Sequence, residues 1–202
     1  FLGDILSSGY WGAQLAEISP GDSVAVIGAG PVGMCAMQSA RLFGAGKVIA
    51  LDLSQKRLDY AMAQGLCDDV ILCGEGSVEQ QIRSLTQGRG ADAVIECAGN
   101  ADSFQTAWQI ARPNAVVAIV AMYEQPQTLP LQRMYGKNLI FKTGGVDATQ
   151  CSRLMRLIET GKLSTGFLIS HRAPLNDILE GYRVFEQKLD NCIKWVVTPY
   201  ER

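Results

Sequence analysis

Gly28-Ala29-Gly30-Pro31-Val32-Gly33 sets three glycines at the spacing a backbone turn needs to wrap a pyrophosphate. Gly28 permits the tight turn, and Gly30 leaves no side chain between main chain and anion. Gly33 lets a strand and the following helix pack closely, while Pro31 and Val32 open that helix. Its free N–H groups then face the phosphate. A glycine-rich turn alone says little, but Asp52 lies 19 residues beyond Gly33 at the end of a second apolar run. An acidic side chain there can accept hydrogen bonds from the hydroxyls of an adenosine ribose and would repel a 2′-phosphate. The pair points to a nicotinamide dinucleotide, NAD rather than NADP. Arg57, five residues on, either covers the adenine side or is a solvated helix charge.

These residues need a scaffold, and the sequence supplies alternating elements. Short apolar runs fall at 23–28, 47–52, 69–72, 91–97, 115–122 and 138–143. Amphipathic stretches at 31–43, 54–63, 77–86 and 101–111 separate them, with Ser54 as an expected N-cap. Strands joined by helical crossovers imply βαβ units, a parallel sheet and helices on both faces. The expected fold class is therefore α/β, a Rossmann-type doubly wound parallel sheet of six strands. After Gly144-Gly145 the pattern changes to helix 149–160, strand 167–170, helix 175–187 and strand 192–197. We expect an NAD-binding domain over residues 5–147 and a C-terminal α/β segment over 148–202.

Composition narrows the partners. Charged residues make up 19% of the 202, against about 25% in typical soluble domains. With 21 glycines this suits a sheet buried on both faces. A net charge of −2 without a Lys/Arg run argues against nucleic acid. No apolar stretch approaches the roughly 20 residues of a membrane span. Phe1–Tyr10 has no basic start and contains Asp4, which does not read as a secretory leader. Six scattered cysteines without a C-x-x-C pair suggest buried, reduced thiols and a cytoplasmic setting. With His171 as the one histidine, a zinc site would be short of ligands from this chain alone. The absence of an initiator Met reads as a piece of a longer protein.

With these motifs in place, the sequence resembles the zinc-containing medium-chain alcohol dehydrogenases, in their secondary-alcohol, polyol and threonine dehydrogenase branch. The resemblance covers nearly the whole chain. It is carried by Gly3-Asp4-Ile5-Leu6-Ser7-Ser8-Gly9-Tyr10-Trp11-Gly12-Ala13, by Val26–Gly33, by Cys97-Ala98-Gly99-Asn100-Ala101-Asp102, by Gly144-Gly145 and by Ile169–Leu175.

The resemblance implies further roles. Asp4 stands where this branch places a third protein ligand of the catalytic zinc, and a carboxylate oxygen suits Zn²⁺. Read on its own it is an ordinary exposed aspartate. Ser8 matches a small hydroxyl residue beside the nicotinamide. Ala98 and Gly99 match the adenosine-side floor of the cleft, and Val120–Met122 a strand end facing the nicotinamide. Lys194 matches a basic residue reaching the pyrophosphate, or is a strand-edge lysine. His171 reads as structural. The family's cysteine and Gly-His-Glu zinc ligands and its four-cysteine lobe have no counterpart here. The implied whole enzyme oxidises a small alcohol by hydride transfer to NAD with zinc as Lewis acid, this chain being inactive alone. The apolar Asn138–Thr143 edge implies a homodimer or tetramer. A zinc-free reductase and a non-catalytic NAD-sensing module are the alternative readings.

Overall fold

A computed structural model describes residues 1–147, 149–187 and 189–199. The chain folds as two compact units, Phe1–Leu163 and Ser164–Arg202. The break expected at 147/148 thus falls inside the first unit.

The first unit is built on six parallel strands: β1 (Ser23–Ile27), β2 (Lys47–Asp52), β3 (Asp69–Leu72), β4 (Ala91–Glu96), β5 (Ala111–Ile119) and β6 (Ile140–Thr143). Their order is β3-β2-β1-β4-β5-β6, the expected doubly wound sheet, and the strand order reverses between β1 and β4. Side chains alternate across the sheet. Ala25, Ile27, Ile49, Leu51, Val94 and Val117 form one core with Ile82 of α4 (Val78–Leu85) and Phe104 and Ala107 of α5 (Ala101–Ile110). On the other face α2 (Pro31–Leu42) packs against β1, β2 and β4. Two-sided burial explains why these strands read as continuous apolar runs.

Caps fix the helix starts. Gly30 precedes α2 in extended backbone, and Pro31 pre-sets the first helical φ. Asn100 and Ser103 form a reciprocal capping box on α5, with bonds of 2.9 and 3.1 Å. Lys137, in the connection before β6, donates to the carbonyls of Trp108, Gln109 and Ala111 and so closes the other end of α5. Ser54 does sit at the N-cap position of α3 (Gln55–Ala63), but its side chain makes no cap bond.

The structure moves several boundaries. The Gly3–Ala13 segment, for which no element was expected, lies largely in a helix, α1 (Ile5–Leu15), packed on α2 so closely that a Cβ on Gly9 would lie 2.5 Å from the Cys35 Cβ. β5 ends at Ile119 rather than Met122, because the Glu96 carbonyl accepts from both Val120 N–H (2.9 Å) and Ala121 N–H (3.2 Å). The first unit closes with α6 (Leu131–Met134) and α7 (Cys151–Glu159).

In the second unit the expected strand at 167–170 is replaced. A 3₁₀ turn covers Gly166–Leu168, and β7 (His171–Pro174) follows it. The Ser170 hydroxyl accepts from Ile193 N–H (2.8 Å) and Lys194 N–H (3.2 Å), which ends the turn with a side-chain bond instead of a ladder. β7 pairs in parallel with β8 (Trp195–Thr198), joined through α8 (Ile178–Glu186). The imidazole of His171 stacks on Trp195 at 5.2 Å, a structural setting.

At the amino ends of the strands Asp92 is buried at 7% exposure. Its carboxylate accepts from Ser23 N–H (2.9 Å), Arg112 Nε (2.6 Å) and Arg89 Nη1 (3.1 Å). Burial pushes the carboxyl up, but the Ser23 bond and the two guanidiniums outweigh it and hold it below the ordinary aspartate range. A depressed folded-state value stabilises the fold above the unfolded aspartate value of about 3.9 and is lost as pH falls through it. Asp92→Asn should cost about 2 kcal/mol at neutral pH. Thermal denaturation should show that deficit shrinking as pH falls below the ordinary aspartate range and through the depressed folded-state value, where the wild type takes up its proton as well.

Candidate functional site

The carboxyl ends of β1, β2, β4 and β5 carry most of the residues singled out in the sequence, and those ends interlock through main chain. The three glycines of the turn differ sharply in what surrounds them. A Cβ on Gly33 would lie 1.7 Å from the Gly28 carbonyl oxygen, so only glycine lets α2 start this close to β1. Gly28 has φ +97° and would place a Cβ 3.1 Å from the Cys97 carbonyl carbon, in the loop after β4. At Gly30 the nearest atom is Arg57 Nη1, 3.9 Å away. Two glycines are thus required by protein contacts, and the middle one faces open space beside the N-terminus of α2. That space, with an arginine at its margin, is chemically fit for an anion.

Asp52 closes β2 and is tied to the same turn. One carboxylate oxygen accepts from Ala29 N–H at 2.7 Å and the other from Ser54 N–H at 2.8 Å. The half-buried Asp52 therefore shapes the turn as well as offering acceptor capacity to a ribose.

On the other side of the strand-order reversal, Ala98 and Gly99 form the turn after β4. Gly99 has φ +76°, and a Cβ there would sit 2.7 Å from the Met122 carbonyl oxygen in the loop after β5. Val120 and Ile95 press on α1, where a Cβ at Gly12 would lie 2.5 Å from Val120 Cγ2. The loops after β1, β4 and β5 thus form one continuous rim. Ser8 projects from α1, half-buried, its hydroxyl 3.4 Å from Asp4 Oδ1.

Glu96, missed in the sequence, organises this second half. It is fully buried at the last position of β4. One carboxylate oxygen accepts from Ala98 N–H (2.8 Å) and Gly99 N–H (2.9 Å), the other from the Tyr123 hydroxyl (2.6 Å). Burial and then the Glu96 carboxylate push the Tyr123 phenol well above its ordinary range, so it stays a donor. The signal was present: β2 and β4 are both apolar runs closed by one acid.

Two further expected residues belong to neither of these turns. Lys194 belongs to the second unit, directly before β8, with its Nζ 5.2 Å from the Phe185 ring centroid. Asp4 is exposed at the cap of α1, and among the described residues no group of three His, Cys, Asp or Glu side chains could hold a metal. Zinc does not fit a site made from these residues alone. Burial pushes the Cys35 thiol up to about 12 and the Cys67 thiol to about 11, which keeps both neutral and unreactive.

Comparisons with known proteins agree with this architecture. The zinc-binding dehydrogenase family matches residues 31–160. An alcohol dehydrogenase of Cupriavidus necator is 34% identical over 203 residues, covering 98% of this chain and 55% of that protein. An NADP-dependent isopropanol dehydrogenase of Thermoanaerobacter brockii is also 34% identical, covering 96% and 57%. Among solved structures, the alcohol dehydrogenase TADH from Thermus sp. ATN1 superposes with a TM-score of 0.92 at 33% identity, over 99% of this chain and 57% of that one. The chain spans about half the length of the curated relatives it matches.

The glycines separate stability from binding. Gly33→Ala should destabilise the fold by about 2 kcal/mol or more, because backbone must move. Gly30→Ala should leave the melting temperature within about 2 °C, since it stays at −82°, −176° backbone in open space, yet weaken binding of an anionic ligand about tenfold or more. Melting curves and titration calorimetry on both variants check the contrast.

Proposed function

Because this chain belongs to the zinc-binding dehydrogenase family, we propose that it is the cofactor-binding part of a zinc-dependent, NAD-using alcohol dehydrogenase. The observation that carries the reading is the pairing of open space at Gly30 with the Asp52 carboxylate, both attached to one turn. Gly28, Gly30, Pro31, Val32 and Gly33 would hold the pyrophosphate at the start of α2. Asp52 would accept from the adenosine ribose, with Arg57 at the phosphate margin. Ala98 and Gly99 would floor the adenosine side of the cleft, Val120 and Ser8 would line the half that takes the nicotinamide, and Lys194 would be the basic residue at the pyrophosphate.

NAD supplies a hydride acceptor at the nicotinamide when bound. The chain's own residues contribute orientation: the rim fixes where the ring lies, and the packed loops after β4 and β5 exclude water beneath it. The substrate would be a secondary alcohol, a polyol or a related hydroxy compound. Asp4 would contribute one zinc ligand, the others coming from outside this chain, so the chain alone should not turn over alcohol. No helix among the described residues is long and apolar enough to cross a membrane; the cytoplasmic setting proposed rests on the six free, scattered cysteines.

NAD is favoured over NADP because a 2′-phosphate would meet the Asp52 charge, although two relatives, 34% and 32% identical, are named NADP-dependent. Asp52→Ala would also free the Ala29 and Ser54 N–H groups, so Asp52→Asn is the cleaner probe. In the full-length protein NAD should bind at least about tenfold more tightly than NADP, a gap of ~1.4 kcal/mol. Asp52→Asn should narrow that gap in titrations run side by side. A wild type that prefers NADP would end the assignment.

β6 lies at the sheet edge with Ile140 48% exposed, a row of open backbone groups that proteins normally pair or cover. We propose that a second copy pairs there, giving a dimer or tetramer. Light scattering of the full-length protein should return at least twice the monomer mass, and Ile140→Lys should lower it. A monomeric wild type would sink the pairing.

A further inference from the structure

Glu96 presents an electrostatic problem that its hydrogen bonds do not solve. It is fully buried, and its two oxygens accept from Ala98 N–H, Gly99 N–H and the Tyr123 hydroxyl, all neutral donors. Among the described residues no lysine, arginine or histidine pairs with it. The contrast with Asp92 is instructive, since that buried acid has two guanidiniums within 3.1 Å. A buried carboxylate without a cation is costly, and structures normally pair it.

The position of Glu96 identifies what could pair with it. It ends β4, in register with Ile27 of β1 and Ile119 of β5, on the far side of the strand-order reversal from Asp52. A doubly wound sheet takes the two nucleotides of a dinucleotide on its two halves, and the acid on β2 marks the adenosine half. Glu96 therefore ends the first strand of the half left for the nicotinamide, and of the two loops it holds, 97–99 floors the adenosine side of the cleft while 120–123 faces the nicotinamide. The oxidised nicotinamide ring carries a positive charge, and the reduced ring carries none.

We propose that Glu96 sets the redox preference of the bound cofactor, its carboxylate favouring the cationic oxidised nicotinamide over the neutral reduced one. The inference rests on the dinucleotide reading above. Tyr123 serves it by occupying the second oxygen with a neutral donor, so the site stays ordered without the negative charge being cancelled.

The test compares dissociation constants for NAD⁺, NADH and AMP in the full-length protein, for wild type, Glu96→Gln and Glu96→Asp. Glutamine keeps the shape and removes the charge. It should weaken NAD⁺ relative to NADH by about fivefold or more, with AMP, which needs only the first half, changed less than about twofold. Aspartate keeps the charge at shorter reach, so it should lower both affinities together and leave their ratio near that of wild type. An unchanged NAD⁺/NADH ratio in Glu96→Gln would overturn the proposal and leave Glu96 a loop-shaping residue. Should Glu96→Gln fail to fold, the double variant Glu96→Gln/Tyr123→Phe, which removes the charge with the hydroxyl facing it, decides the matter by the same ratio. A wild type that binds AMP but neither dinucleotide form would refute the dinucleotide reading itself.

Discussion

The architecture depends on main chain meeting main chain at the carboxyl edge of the sheet. The Gly33 α-carbon sits against the Gly28 carbonyl where no side chain could stand, and Gly28 in turn abuts the loop after β4. That loop touches the next one through Gly99 and the Met122 carbonyl. The contacts at Gly33 and Gly99 are closer than a Cβ would allow, and Gly28 adds a positive φ to a tight one, so the geometry of the rim follows from a few residues having no Cβ. The sheet beneath is packed from both faces and supplies a rigid base, and the rim inherits that rigidity.

Two acids hold this rim by the same device. Asp52 closes β2 and grips the turn after β1, while Glu96 closes β4 and grips its own following turn and the loop after β5. They differ in solvation: Asp52 is half-buried, whereas Glu96 is sealed from water. The first can meet a ligand directly, and the second can act only through shape and through its field. A carboxylate that acts at a distance matters more in a water-excluded interior, where charge is poorly screened.

Local signals made much of this legible from sequence. The glycine turn, its following helix and Asp52 lie within one β-α-β stretch, and their spacing reports their geometry directly. Both-sided burial made β1, β2 and β4 visible as apolar runs. The failures have a shared cause, namely contacts distant in sequence. Helix α1 owes its place to Gly9 and Gly12, whose small size matters only once α2 and Val120 are against them. β5 reads as continuing to Met122 because its residues stay apolar, yet the Glu96 carbonyl, from another strand, accepts from Ala121 N–H as well as from Val120 N–H, and the chain leaves the ladder there. The shift of β7 to His171–Pro174 turns on Ser170, whose hydroxyl answers N–H groups more than twenty residues later. Glu96 lies unremarked inside the expected strand 91–97, since periodicity says nothing about the donors waiting for an acid there.

That Asp52 and Glu96 bond to backbone has an evolutionary corollary. Ala29, Ala98 and Gly99 are held through their N–H groups, which every residue except proline possesses. Where space permits, as at the exposed Ala98, a side chain can be exchanged without loosening the grip on its loop. Inheritance of the crevice's form is thereby uncoupled from inheritance of the chemistry displayed on it. Descendants of such a fold can explore new ligands by drift along the rim while two anchored acids keep the frame constant.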